Sequence, residues 1–285
     1  MHAVVYTDAN FVKYAAMSLY TLLKTQSIDR LTVLHPSLVD ADESMEGQTL
    51  VQLLEYLRML DSRVETLWVG DVYAPNGQGE ELAASHPELY TDIVRSYLYK
   101  QFGSPVVWLD VDMLFLRDIA GELVDIDAPI GAVDDIASNL GDLRGLRGFR
   151  AFEQYLHSNS DYASPASFPI NCGLLALNED ISEEFATGLR LANEFAEGYD
   201  GPVEVSDIVR HARGQLAWAY VFETVGGARL PHRLNRIPRH EPIIGPSGGL
   251  AEEDTSVIHY IGGSKSSRMS VDFVSLLQAG VFSER

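Results

Sequence analysis

Cysteine and long hydrophobic segments are scarce in this chain of 285 residues, and each scarcity excludes a class of protein. Cys172 is the single cysteine, so the chain has no disulfide framework and a reducing compartment is expected. No apolar run approaches the roughly 20 residues that a membrane-spanning helix requires. The first residues lack the basic start and the cleavage site of a secretory signal, which predicts a cytoplasmic protein without a membrane span.

Positive charge is also scarce, because 41 Asp and Glu residues stand against 21 Lys and Arg residues. The net charge of -20 repels the phosphates of nucleic acids and of anionic membranes, so neither is an expected partner. One basic cluster lies between Arg229 and Arg239, where a proline-rich surface loop is a better interpretation than a polyanion site. A hydrophobic content of 46% provides enough apolar side chains for a substantial core.

Hydrophobic periodicity predicts alternating strands and helices, most regularly in the first half of the chain. Strand patterns cover residues 3–6, 31–34, 64–69, 106–109, 131–134, 171–177 and 257–261. Helical patterns cover residues 11–24, 50–60, 89–102, 183–195, 206–225 with a break at Gly214, and 271–279. Loops are predicted over residues 70–87, the glycine-rich 141–148 and the turn-rich 229–249. The alternation predicts an α/β fold with a mixed, mostly parallel sheet and helices on both faces, in a single domain.

Two carboxylates, Asp110 and Asp112, come directly after the buried strand pattern Val106–Leu109. Carboxylates flanked by apolar segments are costly to bury unless a cation meets them, and their oxygens suit magnesium, manganese or calcium. On this pair alone, a solvated turn at the end of a strand is an equal alternative to a metal site.

Other polar residues also follow predicted strands, at the positions where ligands bind in open α/β sheets. Asp8 and Asn10 follow the first strand, the two aspartates follow the fourth, and His259 lies in the last. The sequence therefore predicts one functional site built from these residues. Helix capping by Asp8 or Asn10, and a hydrogen-bonded structural role for His259, are the alternatives.

Four segments resemble motifs of the retaining glycosyltransferases of family 8, which includes glycogenin and bacterial lipopolysaccharide galactosyltransferases. Val4–Phe11 resembles the opening nucleotide-binding strand and turn, and Val107–Leu114 resembles the Y-L-D-x-D metal motif. Phe168–Leu175 is similar to F-N-x-G-V-L-L, and His259–Lys265 is similar to the closing H-x-x-G-x-x-K motif. Each motif is weak alone, but the four together, in this order, make the resemblance specific over most of the chain.

The resemblance implies a GT-A-type, Rossmann-like fold with a nucleotide-binding half over residues 1–112 and a sugar and acceptor half over residues 113–285. It implies a hexosyltransferase-like, retaining enzyme that moves a sugar from a UDP-sugar to an acceptor hydroxyl. The acidic composition favours a soluble acceptor, which is a small molecule, an oligosaccharide or a protein. Asp110, Asp112 and His259 would hold the metal, and this ligand set fits Mn²⁺ better than Ca²⁺, with Mg²⁺ as the alternative.

The resemblance also implies contacts to the two parts of the donor. The implied nucleotide-binding residues are Thr7, Asp8, Asn10, Gly262 and Lys265. The implied sugar-binding residues are Arg95, Asp134, Asn171 and Gln215, of which Arg95 and Gln215 would be catalytic. The alternatives are a surface ion pair for Arg95, turn or strand-end roles for Asp134 and Asn171, and an ordinary helix position for Gln215.

One segment departs from the family pattern, because Gly214 and Leu216 replace both aspartates of the D-Q-D-x-x-N-x-x-F motif. Gln215 remains, where its amide oxygen would stabilise an oxocarbenium-like state, and front-face retention is the expected mechanism. The lost aspartate leaves the identity of the donor sugar open. A degenerate protein that binds nucleotide-sugar or glycan without turnover is one alternative. A sugar nucleotidyltransferase is another, although the glycine-rich phosphate loop that it needs is missing after the first strand.

Overall fold

The structure, a computed structural model, describes most of the chain in seven segments. These are residues 1–36, 45–73, 78–135, 143–159, 169–238, 254–260 and 265–282. The chain divides into two compact units, each assembled from separate segments. The first unit comprises Met1–Asp71, Val107–Asp125 and Pro231–Arg285, and the second comprises Val72–Val106 and Ile126–Leu230.

The described residues alternate between strands and helices along most of the chain. The strands are β1 (His2–Tyr6), β2 (Arg30–His35), β3 (Val64–Trp68), β4 (Val106–Leu109), β5 (Met113–Phe115), β6 (Ile130–Asp134), β7 (Ile170–Leu177), β8 (Ala228–Leu230) and β9 (Val257–His259). The α-helices are α1 (Val12–Thr25), α2 (Met45–Leu60), α3 (Gly70–Tyr73), α4 (Gln78–Ser85), α5 (Tyr90–Phe102), α6 (Ala120–Val124), α7 (Leu143–Asn159), α8 (Ser182–Gly198), α9 (Val203–His211), α10 (Arg213–Thr224) and α11 (Lys265–Gln278).

The first unit contains four parallel strands in the order β3-β2-β1-β4. β1 lies between β2 and β4, with Val5 opposite Val33 on one side and Leu109 on the other. Residues 3–5 are fully buried, as expected for a parallel strand that is covered on both faces. The carboxyl ends of β1 and β4 therefore lie side by side.

A second, two-stranded sheet in the first unit pairs β5 with β9 in antiparallel orientation. Met113 is opposite His259 in this pair, and α1 packs against β5 as well as against α2 and α11. The buried face of α1 carries Ala15, Leu19 and Leu22, which recur at the three- and four-residue spacing of an amphipathic helix.

The second unit combines strands β6, β7 and β8 with a group of packed helices. β6 pairs antiparallel with β7 and parallel with β8, and all eight residues of β7 are buried. Helices α7, α8, α9 and α10 share an apolar cluster that includes Phe149, Phe152 and Phe195. None of the described helices in either unit is long and apolar enough to cross a bilayer.

The predicted α/β fold with mixed, mostly parallel strands is confirmed, but three local predictions are wrong. The described residues of the predicted loop 70–87 form α3 and α4, because the alanine, leucine and glutamate residues there favour helix despite the nearby glycines. Within the predicted glycine-rich loop, α7 begins at Leu143, and Gly148 allows Val205 and Val209 of α9 to approach closely. The break in the predicted helix 206–225 falls at Ala212 rather than at Gly214, which lies in the first turn of α10.

Candidate functional site

The structure brings the three predicted metal ligands together in the first unit. Asp110, Asp112 and His259 each offer one ligand atom, and these atoms all lie within 4.8 Å of one another. The Nε2 atom of His259 is 3.2 Å from Asp112 Oδ1 and 3.9 Å from Asp110 Oδ2. Asp112 is 7% exposed and His259 is 4% exposed, whereas Asp110 is more accessible. The cluster is therefore largely shielded from water and reachable from the Asp110 side.

Strand pairing explains how residues so far apart in the sequence meet. β4 ends at Leu109, the two aspartates occupy the following turn, and the chain re-enters a strand at Met113. Met113 is opposite His259, and the backbone N–H of Tyr260 donates to the carbonyl oxygen of Asp112 at 2.9 Å. The antiparallel β5–β9 pair thus fixes His259 beside the aspartate turn.

Two neighbouring side chains orient the candidate ligands. Trp108 Nε1 donates to Asp110 Oδ1 at 2.8 Å, and Nδ1 of His259 lies 2.9 Å from Oδ1 of the buried Asn235. Because an amide oxygen can only accept, Nδ1 is the donor in this contact, and Nε2 is the ring nitrogen that faces the carboxylates. Sequence reasoning missed Asn235, which lies in the segment interpreted as a surface loop, and no local pattern distinguishes it there.

The donor atoms of this cluster suit a divalent cation. Two carboxylates and one imidazole form an oxygen-rich set with a single nitrogen, which suits Mn²⁺ or Mg²⁺. A buried carboxylate such as Asp112 requires a compensating positive charge or hydrogen bonds. The outer hydrogen bonds from Trp108 and to Asn235 are the kind of support that metal ligands usually have. The residues of this structure therefore fit the predicted metal.

The residues after β1 close the turn that leads into α1. Asp8 Oδ1 accepts hydrogen bonds from the backbone N–H groups of Asn10 at 2.8 Å and of Phe11 at 3.2 Å. Thr7 is fully buried and its backbone N–H donates to Leu34, whereas Asn10 is exposed. Asp8 thus closes the turn ahead of α1, whose N-cap residue Phe11 has no side-chain capping hydrogen bond. Its position at the carboxyl end of β1, next to the end of β4, is also the one expected for a ligand contact.

The segment that follows His259 contains the remaining predicted nucleotide contacts. Gly262 lies outside the described residues, and Lys265 is the first residue of α11. The buried hydroxyl of Tyr260 donates to Asp272 Oδ2 of this helix at 2.9 Å. Burial, together with the Asp272 carboxylate, raises the pKa of Tyr260 well above its usual range, so the hydroxyl stays protonated as a donor. Tyr260 therefore anchors α11 directly after the candidate metal ligand.

In the second unit, the amide of Gln215 is held by two acceptors. Its Nε2 donates to Asp135 Oδ2 at 2.6 Å and to the carbonyl oxygen of Ile170 at 3.2 Å. Asp135 is fully buried at the end of β6. Since both amide protons are engaged, Gln215 can offer a further partner only its carbonyl oxygen. Asn171, the next residue after Ile170, is buried and accepts the backbone N–H of Gly173 at 2.9 Å.

Asp134 and Asp135 illustrate how strand geometry separates neighbouring residues. The predicted residue Asp134 forms an ion pair with Arg229, which also pairs with Glu223. The adjacent Asp135, which sequence reasoning missed, contacts Gln215 instead. Successive residues of an extended chain point to opposite sides, but β6 is buried on both faces and has a register shift after Ala132, so no signal in the sequence pointed to Asp135.

Arg95 takes part in a buried cluster rather than in a surface ion pair. Its Nη1 donates to Asp92 Oδ1 at 3.1 Å, and the same oxygen accepts the indole N–H of Trp218 at 3.1 Å. Arg95 is 8% exposed and Trp218 is fully buried. Asp92 was also missed, because nothing in the sequence connects a residue of α5 with one of α10.

Comparisons with known proteins identify the fold. No protein-family model matches the sequence, and no curated protein matches it. Solved structures do match: the galactosyltransferase LgtC, determined with donor and acceptor sugar analogues, has a TM-score of 0.53 at 14% identity over 96% of this chain and 96% of its own. Mouse xyloside xylosyltransferase 1 has a TM-score of 0.53 at 14% identity, over 90% of this chain and 96% of its own.

A third match extends the range of glycosyltransferases that share this fold. The bifunctional glycosyltransferase WbbM has a TM-score of 0.56 at 15% identity, over 96% of this chain and 49% of its own. Because these alignments cover nearly all of the chain, one fold extends over both compact units, in agreement with the predicted single domain. The chain therefore has the GT-A-type fold of these glycosyltransferases.

Proposed function

We propose that this protein is a metal-dependent, retaining glycosyltransferase that moves a sugar from a UDP-sugar to a hydroxyl of a soluble acceptor. The observation that carries the proposal is the Asp110, Asp112 and His259 cluster in a chain whose fold is that of solved glycosyltransferases. We propose the cytoplasm as its compartment, on the basis of the single cysteine.

Asp110, Asp112 and His259 are the proposed ligands of Mn²⁺, with Mg²⁺ as the alternative. When bound, such an ion supplies Lewis-acid stabilisation to the diphosphate leaving group. Asn235 and Trp108 orient two of the three ligands, which keeps the ligand geometry defined before the donor arrives. Thr7, Asp8, Asn10, Gly262 and Lys265 are the proposed contacts to the nucleotide and its phosphates.

The hydrogen bonds of Gln215 support its proposed role at the sugar. With both amide protons held by Asp135 and Ile170, its carbonyl oxygen is the atom available to stabilise positive charge at the anomeric carbon. An amide oxygen is a weak nucleophile, so we propose front-face retention in which the departing phosphate accepts the proton of the acceptor hydroxyl. Asp135 would act by positioning Gln215.

Arg95, Asn171 and Asp134 are the other proposed sugar contacts. Arg95 is pre-positioned by Asp92, and Asn171 lies beside the carbonyl group that holds Gln215. Asp134 is paired with Arg229, so a role at the sugar requires that this ion pair opens when the donor binds.

A donor screen tests the proposal directly. The protein is incubated with a panel of UDP-sugars in Mn²⁺ or in EDTA, and UDP release and product mass are followed with candidate soluble acceptors. Metal-dependent UDP release from one donor is the expected result, with retained anomeric configuration in the product. Tight UDP-sugar binding without UDP release under any condition would favour a protein that binds nucleotide-sugars without turnover. Gly214 and Leu216, which replace two aspartates of the family motif, are the reason for considering this alternative. Production of a nucleoside triphosphate or pyrophosphate would favour a nucleotidyltransferase.

A further inference from the structure

Gly214 has no backbone reason to be glycine. It lies in the first turn of α10, directly before Gln215, and the left-handed φ values among the described glycines occur at other positions, Gly103, Gly226 and Gly280. Glycine is less favourable than alanine in a helix because it loses more conformational freedom. The reason for this glycine therefore has to be sought in the space around it.

Asp92 occupies that space. A Cβ atom built at position 214 would lie 2.6 Å from Asp92 Cγ and closer still to Asp92 Oδ2. Real Cβ atoms do not approach other atoms so closely, so a side chain at 214 and the present position of Asp92 exclude each other. The carboxylate of α5 thus takes the volume that a side chain of α10 would otherwise fill.

The Asp92 carboxylate is held in a defined orientation. Its Oδ1 accepts from Trp218 Nε1 and from Arg95 Nη1, both at 3.1 Å, while its Oδ2 points toward Gly214. The Asp92 side chain keeps 20% of its surface exposed, whereas Arg95 and Trp218 are buried. The Asp92 side chain is therefore partly accessible, while Arg95 and Trp218 fix its orientation.

We propose that Asp92 accepts a hydrogen bond from a hydroxyl of the donor sugar and so helps to determine which sugar is used. This inference rests on the proposed function, in which Arg95 and Gln215 contact the sugar. Asp92 touches Arg95 and packs against the residue before Gln215, so its carboxylate belongs to the same cluster. The carboxylate of Asp92 on α5 thus lies where a side chain at position 214 of α10 would otherwise be.

The pair of Asp92 and Arg95 suits selection between sugars that differ at one hydroxyl. The carboxylate accepts and the guanidinium donates, so one hydroxyl of the correct configuration can satisfy both groups. An epimer or deoxy sugar could not make the hydrogen bonds that the correct sugar makes with these two groups, and sites built to bind a hydroxyl reject such analogues strongly.

The variant Asp92→Asn tests the inference because it keeps the shape and removes the charge. With the donor found in the screen, we expect KM for the UDP-sugar to rise about 10- to 100-fold, the effect of losing a hydrogen bond to a charged group. Affinity for UDP in Mn²⁺ should stay unchanged. The penalty should disappear for a donor analogue that lacks the contacted hydroxyl, which a purely structural role of Asp92 would not produce. An equal penalty for all donors, or an equal loss of UDP affinity, would overturn the inference.

A swap between the two positions provides a second readout. Gly214→Asp alone should lower the melting temperature and weaken donor binding, because two carboxylates compete for one space. Combining it with Asp92→Ser should restore the melting temperature and change the ranking of donors. Gly121→Asp is the matched control, since Gly121 is also the second residue of its helix and a Cβ there meets nothing within 4 Å. Restored folding with an unchanged donor ranking would overturn the role of Asp92 at the sugar.

Failure of this inference and failure of the proposed function give different results. If the wild-type protein releases UDP from one donor and the Asp92→Asn variant has an unchanged KM, only the sugar role of Asp92 is disproved. A wild-type protein that neither binds nor turns over any UDP-sugar removes the proposed function and the sugar role of Asp92 with it.

Discussion

The Nδ1 atom of His259 lies 2.9 Å from Oδ1 of Asn235, and both side chains are buried. Asn235 follows a short 3-10 helix over His232–Leu234, and its backbone N–H donates to the carbonyl oxygen of His232. Because Asn235 accepts from Nδ1, the ring is oriented so that Nε2 faces Asp110 and Asp112. The candidate metal centre therefore depends on a residue that contacts one of the candidate ligands and is not itself one of them.

The effect of replacing Asn235 on metal affinity should depend on whether the new side chain can still accept a hydrogen bond from His259 Nδ1. Asn235→Leu removes the acceptor and should reduce Mn²⁺ affinity about 10- to 100-fold, the usual cost of losing an outer-shell partner. Asn235→Asp keeps an acceptor oxygen and should bind Mn²⁺ at least as tightly as the wild type. Free Mn²⁺ measured by electron paramagnetic resonance gives the affinities, and ¹⁵N NMR of the metal-free protein reports the tautomer of His259. Asn159→Leu, at an exposed helix end, is the control; wild-type affinity in Asn235→Leu would contradict the prediction.

Asp112→Asn should remove the metal-dependent part of UDP binding while the fold is kept. The amide has the shape of the carboxylate but is a far weaker ligand, so the loss should exceed the roughly 10- to 100-fold effect expected of an outer-shell change. Calorimetric titration with UDP in Mn²⁺ and in EDTA measures the difference, and thermal unfolding in EDTA checks the fold. Asp61→Asn, which alters an aspartate paired with Arg63, should leave UDP binding intact. Equal UDP affinity of Asp112→Asn and wild type in Mn²⁺ would remove the metal assignment.

Gln215→Glu should destabilise the protein at neutral pH. It replaces the donor that Asp135 and the Ile170 carbonyl require and places a second carboxylate beside the buried Asp135. Losing a hydrogen bond to a buried charged group and adding like-charge repulsion should lower the free energy of unfolding by about 2–4 kcal/mol. Urea unfolding at pH 7 and pH 5 measures this, and the deficit should shrink at pH 5 because protonation relieves the repulsion. Gln154→Glu, on the exposed face of α7, is the control and should change little.

His2 should make folding stability depend on pH in a defined window. Burial, assisted by the nearby charge of Arg30, lowers the pKa of His2 from 6.5 to about 4. Between about pH 6.5 and 4 the unfolded chain binds a proton at His2 that the folded chain does not bind. The contribution of His2 to the free energy of unfolding therefore keeps its full value above about pH 6.5 and decreases as the pH falls toward 4. His2→Gln cannot take up that proton, so its stability should fall less steeply between pH 6.5 and 4. Denaturant midpoints of both proteins across this range give the comparison, and parallel curves would contradict the prediction.

Much of the fold could be predicted because buried parallel strands and amphipathic helices leave a local pattern. The apolar runs of β1, β2 and β4 and the spacing of α1 are examples. The segments around Gly70 and Gly148 were misread, because glycine content alone cannot show that a helix will be stabilised by its neighbours. At Gly148 the side chains of Val205 and Val209 supply that stabilisation, and both lie far along the chain.

Residues of the candidate site that belong to sequence motifs could be predicted. Residues that take part only through contacts formed in the folded structure could not. The motif residues Asp110, Asp112 and His259 were predicted, and the structure brings them together. The positions of Asn235 and Asp92 in these clusters could not be predicted, because Asn235 contacts His259 and Asp92 contacts Trp218, and each partner lies far away in the sequence. The hydrogen bonds by which Asp8 closes the turn before α1 show that a residue in a motif can also have an ordinary structural role.

The pairing of β5 with β9 has a consequence for the order in which the protein matures. More than half of the chain separates Asp112 from His259, and this short strand pair brings them together. During synthesis both aspartates leave the ribosome long before the histidine does, so a nascent chain cannot assemble the complete cation cradle. Binding of the proposed ion would thus be a late step in biogenesis, and the time at which the newly made protein becomes resistant to chelators would show when that step occurs.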